Sequence, residues 1–184
     1  MGVTPPRDIR LPLRVSTALL SWGTLLVLLA LAVPAAVFSA DVHFSPDGGI
    51  RRHLLRAIRD SRHRIDVAVY HITSFELAQA LVAARDRGVR VRILTDQEKA
   101  RADGRAMRIF RAASLQVRTL GVADQSLMHH KFAVFDDRVV ATGSYNWTQT
   151  AERASYENVI FLDDPALVAR FAEEFQRLWR SSRE

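Results

Sequence analysis

Between Ile50 and Thr95 the sequence switches repeatedly between a helical and an extended periodicity, and this limits the available folds more than any other feature. Ile50, Leu54, Leu55 and Ile58 recur at helical spacing through about Arg62. Arg64 to Thr73 contains the β-rich run Ile65-Asp-Val-Ala-Val-Tyr-His-Ile-Thr73. Ser74 can cap a second helix running to about Arg87, and Gly88 stands where a left-handed residue closes it. Val89-Arg-Val-Arg-Ile-Leu-Thr95 is the next strand. Strands separated by helices pair in parallel, because the helix is the crossover. The expectation is an α/β fold: a layered αβα sandwich with a mixed, mainly parallel sheet.

The remaining elements fit that frame. Asp41–Ser45 is a short strand, Gln97–Ala113 a helix with an irregular start, and Leu115–Leu120 a strand. Lys131–Phe135 and Val139–Gly143 form a strand pair around Asp136-Asp137-Arg138. Asn158–Leu162 and Pro165–Arg180 supply a last strand and helix. Residues 41–184 therefore form one domain.

Residues 1–40 stand apart from it. No residue from Val15 to Phe38 is charged, a run of 24 positions preceded by Arg7, Arg10 and Arg14. That length suits an N-terminal hydrophobic helix that crosses a bilayer with its start on the cytoplasmic side. The Leu25–Val33 core and the small residues Ala35, Ala36, Ser39 and Ala40 equally suit a cleaved signal peptide. Either reading exports residues 41–184 across the inner membrane. The domain is periplasmic or secreted if the segment is cleaved, and otherwise the outer part of a single-pass membrane protein.

The chain has no cysteine, which excludes disulfides, thiol nucleophiles and thiolate metal sites. The formal charge is +6, and residues 41–184 retain 23 basic against 19 acidic side chains. A modest positive excess suits contact with phosphates of nucleic acid or anionic lipid.

Chemistry concentrates in Met128–Trp147. Side chains two apart on a strand share a face, so His129 and Lys131 point the same way, as do Ser144 and Asn146. A turn at Asp137 sets Lys131 opposite Gly143 and His129 opposite Tyr145, with Gly143 keeping the floor clear. An imidazole, an ammonium, a hydroxyl and an amide then meet at the open end of one hairpin. Such a group can cleave a phosphodiester: the imidazole attacks phosphorus, while Lys131 and Asn146 stabilise charge on the non-bridging oxygens. No cofactor is expected, and no dense His or carboxylate cluster signals a metal.

His129-x-Lys131-x4-Asp136-x6-Gly143-Ser144, extended by Asn146, resembles the H-K-D motif of the phospholipase D superfamily. Phe44-Ser-Pro46, Ala83–Asp96 and Tyr156-Glu-Asn158 resemble the superfamily's single-motif bacterial endonucleases and its mitochondrial cardiolipin hydrolase branch. The resemblance implies a phospholipase D/nuclease-like fold and a catalytic set of His129, Lys131, Asp136 and Glu157. His129 would be the nucleophile giving a phosphohistidine, and Lys131, Ser144 and Asn146 would bind phosphate oxygens. Asp136 would support the local architecture, and Glu157 would orient the imidazole. A single motif also implies a homodimer, with His129 of each subunit in one joint site.

Alternation turns His130 away from Lys131, a structural position. His43 and His71 read as packing or surface residues, Trp147 and Trp179 as core, and Tyr145 as core or a base-stacking ring. Arg51-Arg52 and Arg90/Arg92 read as solvated faces, with a phosphate track as the alternative. The leading functional expectation is a metal-independent endonuclease on DNA or RNA. The alternative is a phospholipase D-type hydrolase of phosphatidylcholine or cardiolipin, and a third reading is a membrane-tethered phosphate-binding module without turnover.

Overall fold

The computed structural model describes residues 38–102, 104–121 and 126–183. The leader or anchor expected over residues 1–40 lies outside them apart from its last three positions, and Ala40 already belongs to a strand. Among the described residues no helix is long and apolar enough to cross a membrane.

The described strands are β1 (Ala40–Ser45), β2 (Arg64–Val69), β3 (Arg90–Asp96), β4 (Gln116–Leu120), β5 (Lys131–Phe135), β6 (Val139–Gly143) and β7 (Glu157–Leu162). The helices are α1 (Ile50–Asp60), α2 (Phe75–Asp86), α3 (Gln97–Arg101), α4 (Arg105–Ala112), α5 (Gln149–Arg153) and α6 (Pro165–Ser181). All seven strands join one sheet in the order β1-β7-β6-β5-β2-β3-β4.

The sheet is mixed as expected, but parallel pairing is confined to β2–β3 and β3–β4. The β1–β7, β7–β6, β6–β5 and β5–β2 pairs are antiparallel, so "mainly parallel" holds for one half only. The cause is connection length. The β5–β6 turn is too short for a crossover, and this hairpin then docks antiparallel on β2.

Both sheet faces are covered, which completes the sandwich. Ile65, Val67 and Val69 of β2 point into a core shared with Ile50, Leu54 and Ile58 of α1, Leu77 and Leu81 of α2, and Phe110 of α4. Ala68, Leu94, Phe132, Val134 and Val140 point the other way, against Val168, Phe175 and Leu178 of α6. A central strand buried on both faces must be apolar throughout, hence the unbroken β-rich run of β2. Its one acid, Asp66, is fully buried and takes both arms of the Arg92 guanidinium, each at 2.8 Å. Arg92 also lies over the rings of Phe175 and Trp179. It is therefore an interior counter-ion, neither a solvated edge nor a phosphate track.

Several ends follow the sequence signals. Ser74 Oγ accepts from Leu77 N at the start of α2, and Gly88 has φ 92° just past its end. The helix expected over Gln97–Ala113 is two, because α3 stops at Arg101 and a new helix begins after Gly104. The short helix α5, capped by Thr148 Oγ1 on Ala151 N, was not foreseen. One turn carries too little periodicity to be visible in sequence.

Candidate active site

The hairpin takes the expected register: Phe132 faces Thr142 and Phe135 faces Val139, which sets the end carrying His129 and Lys131 beside the end carrying Gly143. Val69 of β2 pairs with Lys131, and the Tyr70 amide donates to the His130 carbonyl at 2.8 Å. The ladder thus brings Tyr70 against His129, with ring centroids 4.6 Å apart.

Lys131 organises this corner. Its ammonium donates to the His129 carbonyl at 2.9 Å and lies 3.3 Å from each ring nitrogen of His129. It also stands 5.0 Å above the Tyr70 ring, and Lys99 stands 5.3 Å from the same ring. Burial lowers the Lys131 pKa, opposed in part by the charge of Glu157. Lys99 is delivered by α3, whose first turn is held by Asp96 accepting from the amides of Glu98 and Lys99. The second carboxylate oxygen of Asp96 accepts from Met128 N at 3.3 Å. One fully buried carboxylate therefore anchors both the helix bearing Lys99 and the segment leading into His129. His71 is half-buried nearby, and burial and Lys99 both lower its pKa.

The β6 side supplies Ser144 and Asn146. Ser144 Oγ donates to Glu157 in a very short hydrogen bond and accepts from Asn158 N at 3.2 Å. Glu157 thus engages Ser144 and acts on Lys131 electrostatically. Among the described contacts it does not hold the imidazole of His129, because the β6–β7 pairing turns it toward Ser144. The buried Oδ1 of Asn146 has no hydrogen-bond partner. The Trp147 carbonyl just beyond accepts from Thr73 N and Ser74 N, which ties the end of this segment to the start of α2.

Gly143 is needed for a different reason from the one expected. A Cβ there would run into the Asn158 carbonyl of β7, so the glycine permits close strand approach.

Asp136 lies at the other end of the hairpin, in the β5–β6 turn with φ 53°. Its carboxylate accepts from the amides of Arg62 at 2.7 Å, His63 at 2.8 Å and Arg64 at 2.9 Å. Desolvation acts against the charged form, but these amides together hold its pKa below the ordinary carboxylate value. It fastens the α1–β2 connection, in keeping with the architectural role that the resemblance implies for it, and none of its described hydrogen bonds reaches the other site groups.

His130 faces the α6 side, 3.6 Å from Glu174 and edge-on to Phe132. Tyr145 is 1% exposed and donates its hydroxyl to Glu152 at 2.9 Å, so it is core and cannot stack on a base. Arg51 donates to Glu76 and Gln149, a fixed bridge between helices in place of a phosphate track. Tyr70 and Lys99 were missed from sequence. Only knowledge that β2 lies between β5 and β3 would have pointed to them.

Residues 54–179 match the family model described as "Cardiolipin synthase, PLD-like domain". The human mitochondrial cardiolipin hydrolase is 40% identical over 126 residues, covering 68% of this chain and 49% of that protein. The chain spans about half the length of the curated relatives it matches. Among solved structures, Nuc of Salmonella typhimurium, described as a phospholipase D family member, is 32% identical, with a TM-score of 0.72 over 80% of this chain and 97% of that one. NucT from Helicobacter pylori shares the fold, with a TM-score of 0.71 at 24% identity over 79% of this chain and 98% of that one. With His129 and Lys131 of the H-K-D spacing at one end of the hairpin, Asp136 in its turn, and a family match over most of the described length, the chain belongs to the phospholipase D superfamily as a PLD-like domain.

Proposed function

We propose that this protein hydrolyses phosphodiesters of phospholipids through a covalent phosphohistidine on His129, without a metal in the chemistry. The observation that carries this reading is the gathering of His129, Lys131 and Tyr70 at one hairpin end, with Asn146 following the paired strand β6. His129 attacks phosphorus, forming an N–P bond as the P–O bond to the leaving group breaks. Lys131 and the side-chain NH₂ of Asn146 donate to the non-bridging oxygens and stabilise their charge. Ser144 can join them only by releasing Glu157. The departing oxygen takes its proton from His129 of a second copy, so the working unit is a homodimer. Water then cleaves the N–P bond, with the second imidazole as base.

Lipid is the favoured substrate over the nuclease reading that leads from sequence alone. The cardiolipin hydrolases are the more identical relatives, at 40%. A cavity of about 250 Å³ on the α6 face, lined by His130, Phe132, Leu167, Arg170, Phe171 and Glu174, has room for part of an acyl chain. The uncharged Val15–Phe38 run would hold or route the domain to a membrane, on its exported side. The second reading, an endonuclease, is supported by the likeness to Nuc and by the basic residues. A nuclease would lose activity steeply with salt, a lipase would not.

The test is to assay the full chain, with EDTA present, on cardiolipin vesicles, phosphatidylcholine vesicles, single-stranded DNA and RNA. Turnover of cardiolipin that survives EDTA is expected, with a loss of about 1,000-fold or more in His129→Ala and a phosphoenzyme trapped by acid only in the unaltered protein. Faster turnover of DNA or RNA transfers the assignment to the nuclease reading. Phosphate binding without any turnover refutes the enzymatic assignment.

A further inference from the structure

Edge strand β1 and helix α1 bring three metal-ligating side chains together outside the hairpin site. Asp41 and His43 alternate onto one face of β1, and α1 supplies His53. Their ligand atoms all lie within 4.8 Å of one another. His43 Nε2 is 2.9 Å from Asp41 Oδ2, and the two imidazoles stack 3.5 Å apart with planes 22° from parallel. The Phe161 ring walls one side, 5.8 Å from His43 and 6.3 Å from His53. No spacing in the chain signals this cluster, because Asp41-x-His43 and His53 belong to different elements.

We propose that Asp41, His43 and His53 form a zinc site that clamps edge strand β1 to α1. Two imidazoles and one carboxylate suit zinc-class ions over magnesium or calcium, with water completing four-coordination. Zinc bonds of about 2.0–2.1 Å place tetrahedral ligand atoms about 3.4 Å apart. Closing the spacing takes a shift of up to about 1.4 Å together with a turn of the stacked His43 and His53 rings that makes their nitrogen lone pairs converge, and Asp41, 62% exposed, can follow. Zinc takes the place of the proton between His43 Nε2 and Asp41, and that proton moves to Nδ1 of the same ring. Arg52 and Arg56 act on His53 electrostatically, which weakens the site relative to four-ligand structural zinc. The role is to hold the sheet edge. It requires no part in phosphodiester chemistry and stands whether or not that chemistry is as proposed.

The test uses the full chain, stripped with EDTA, dialysed and titrated with zinc chloride by calorimetry. A His129→Asn background removes uptake at the hairpin imidazole. One zinc per chain is expected in both backgrounds, with binding at least 10-fold weaker in Asp41→Asn and in His53→Ala. A hundredfold excess of zinc over its Kd should raise Tm by about 5–10 °C. Cobalt should give the strong visible absorption of a four-coordinate ion only when all three residues are present. Asp41→Asn preserves shape at an exposed position, so it reads out binding even if His53→Ala fails to fold. No zinc uptake, uptake that vanishes in His129→Asn, or uptake undiminished in the Asp41→Asn/His53→Ala double variant overturns the proposal.

Discussion

Replacing Asp136 by Asn should lower stability while sparing the chemistry, and the size of the effect can be worked from its three amide partners. One carboxylate oxygen accepts from His63 N and Arg64 N, the other from Arg62 N. An asparagine can keep its carbonyl on the first pair, but its NH₂ then faces the Arg62 N–H, donor against donor. That hydrogen bond is lost, and the remaining two lose their charge assistance. Hydrogen bonds to charged groups contribute about 1.5–3 kcal/mol when buried, and these are mostly at the surface, so the total is about 2 kcal/mol. For a chain of this size that is a Tm drop of about 4–8 °C. Asn also tolerates the left-handed backbone of this turn, so the loss is not confounded by strain. Asp136→Ala should cost about 1–2 kcal/mol more, from the third bond and the backbone conformation. The span of β5 separates Asp136 from Lys131 by about 17 Å at strand rise, so kcat per folded molecule should stay within about twofold of the unaltered protein. Thermal melts and kinetics at a temperature where both variants remain folded are the assay. An Asp136→Asn protein with unchanged Tm and activity reduced a hundredfold would refute the reasoning and return Asp136 to the chemistry.

Two further outcomes are expected. Burial and Glu152 push the Tyr145 phenol far above its usual pKa, so it stays a donor; Tyr145→Phe should cost about 1–2 kcal/mol, and a melt unchanged within error would show that its hydroxyl is not paired in solution. The His71 pKa is lowered from 6.5 by burial and then by Lys99, so the unfolded chain binds the extra proton first as pH falls. Stability from this group is full above 6.5 and is lost as pH drops toward the folded pKa. His71→Asn should therefore flatten the denaturation midpoint between about pH 7 and 5, and an equally steep profile in the variant would rule His71 out as the cause.

Much of the fold was legible because its signals are local. The hairpin register followed from alternation and a turn at Asp137, and α2 was bracketed by Ser74 and Gly88. What stayed hidden is set by pairing between distant segments. The docking of β5 on β2 brings Tyr70 to His129, and no periodicity encodes it. Gly143 was identified as necessary for the wrong neighbour, since β7 was not yet beside it. Glu157 was tied to the imidazole, yet the β6–β7 register turns it to Ser144. Arg92 looked like a surface charge because its partner, Asp66, interrupts an otherwise apolar strand. The Asp41, His43 and His53 grouping needs β1 and α1 packed together before it exists.

The rear of the reactive hairpin is roofed by α6, whose Val168, Phe175 and Leu178 meet Phe132, Val134 and Val140. That roof follows the hairpin in the chain, so a ribosome makes it second. Until it arrives, the strands bearing His129 and Lys131 present a bare greasy back and lack the packing that would hold them in register. The corner that carries His129 and Lys131 is therefore backed on both faces only once α6 has been added.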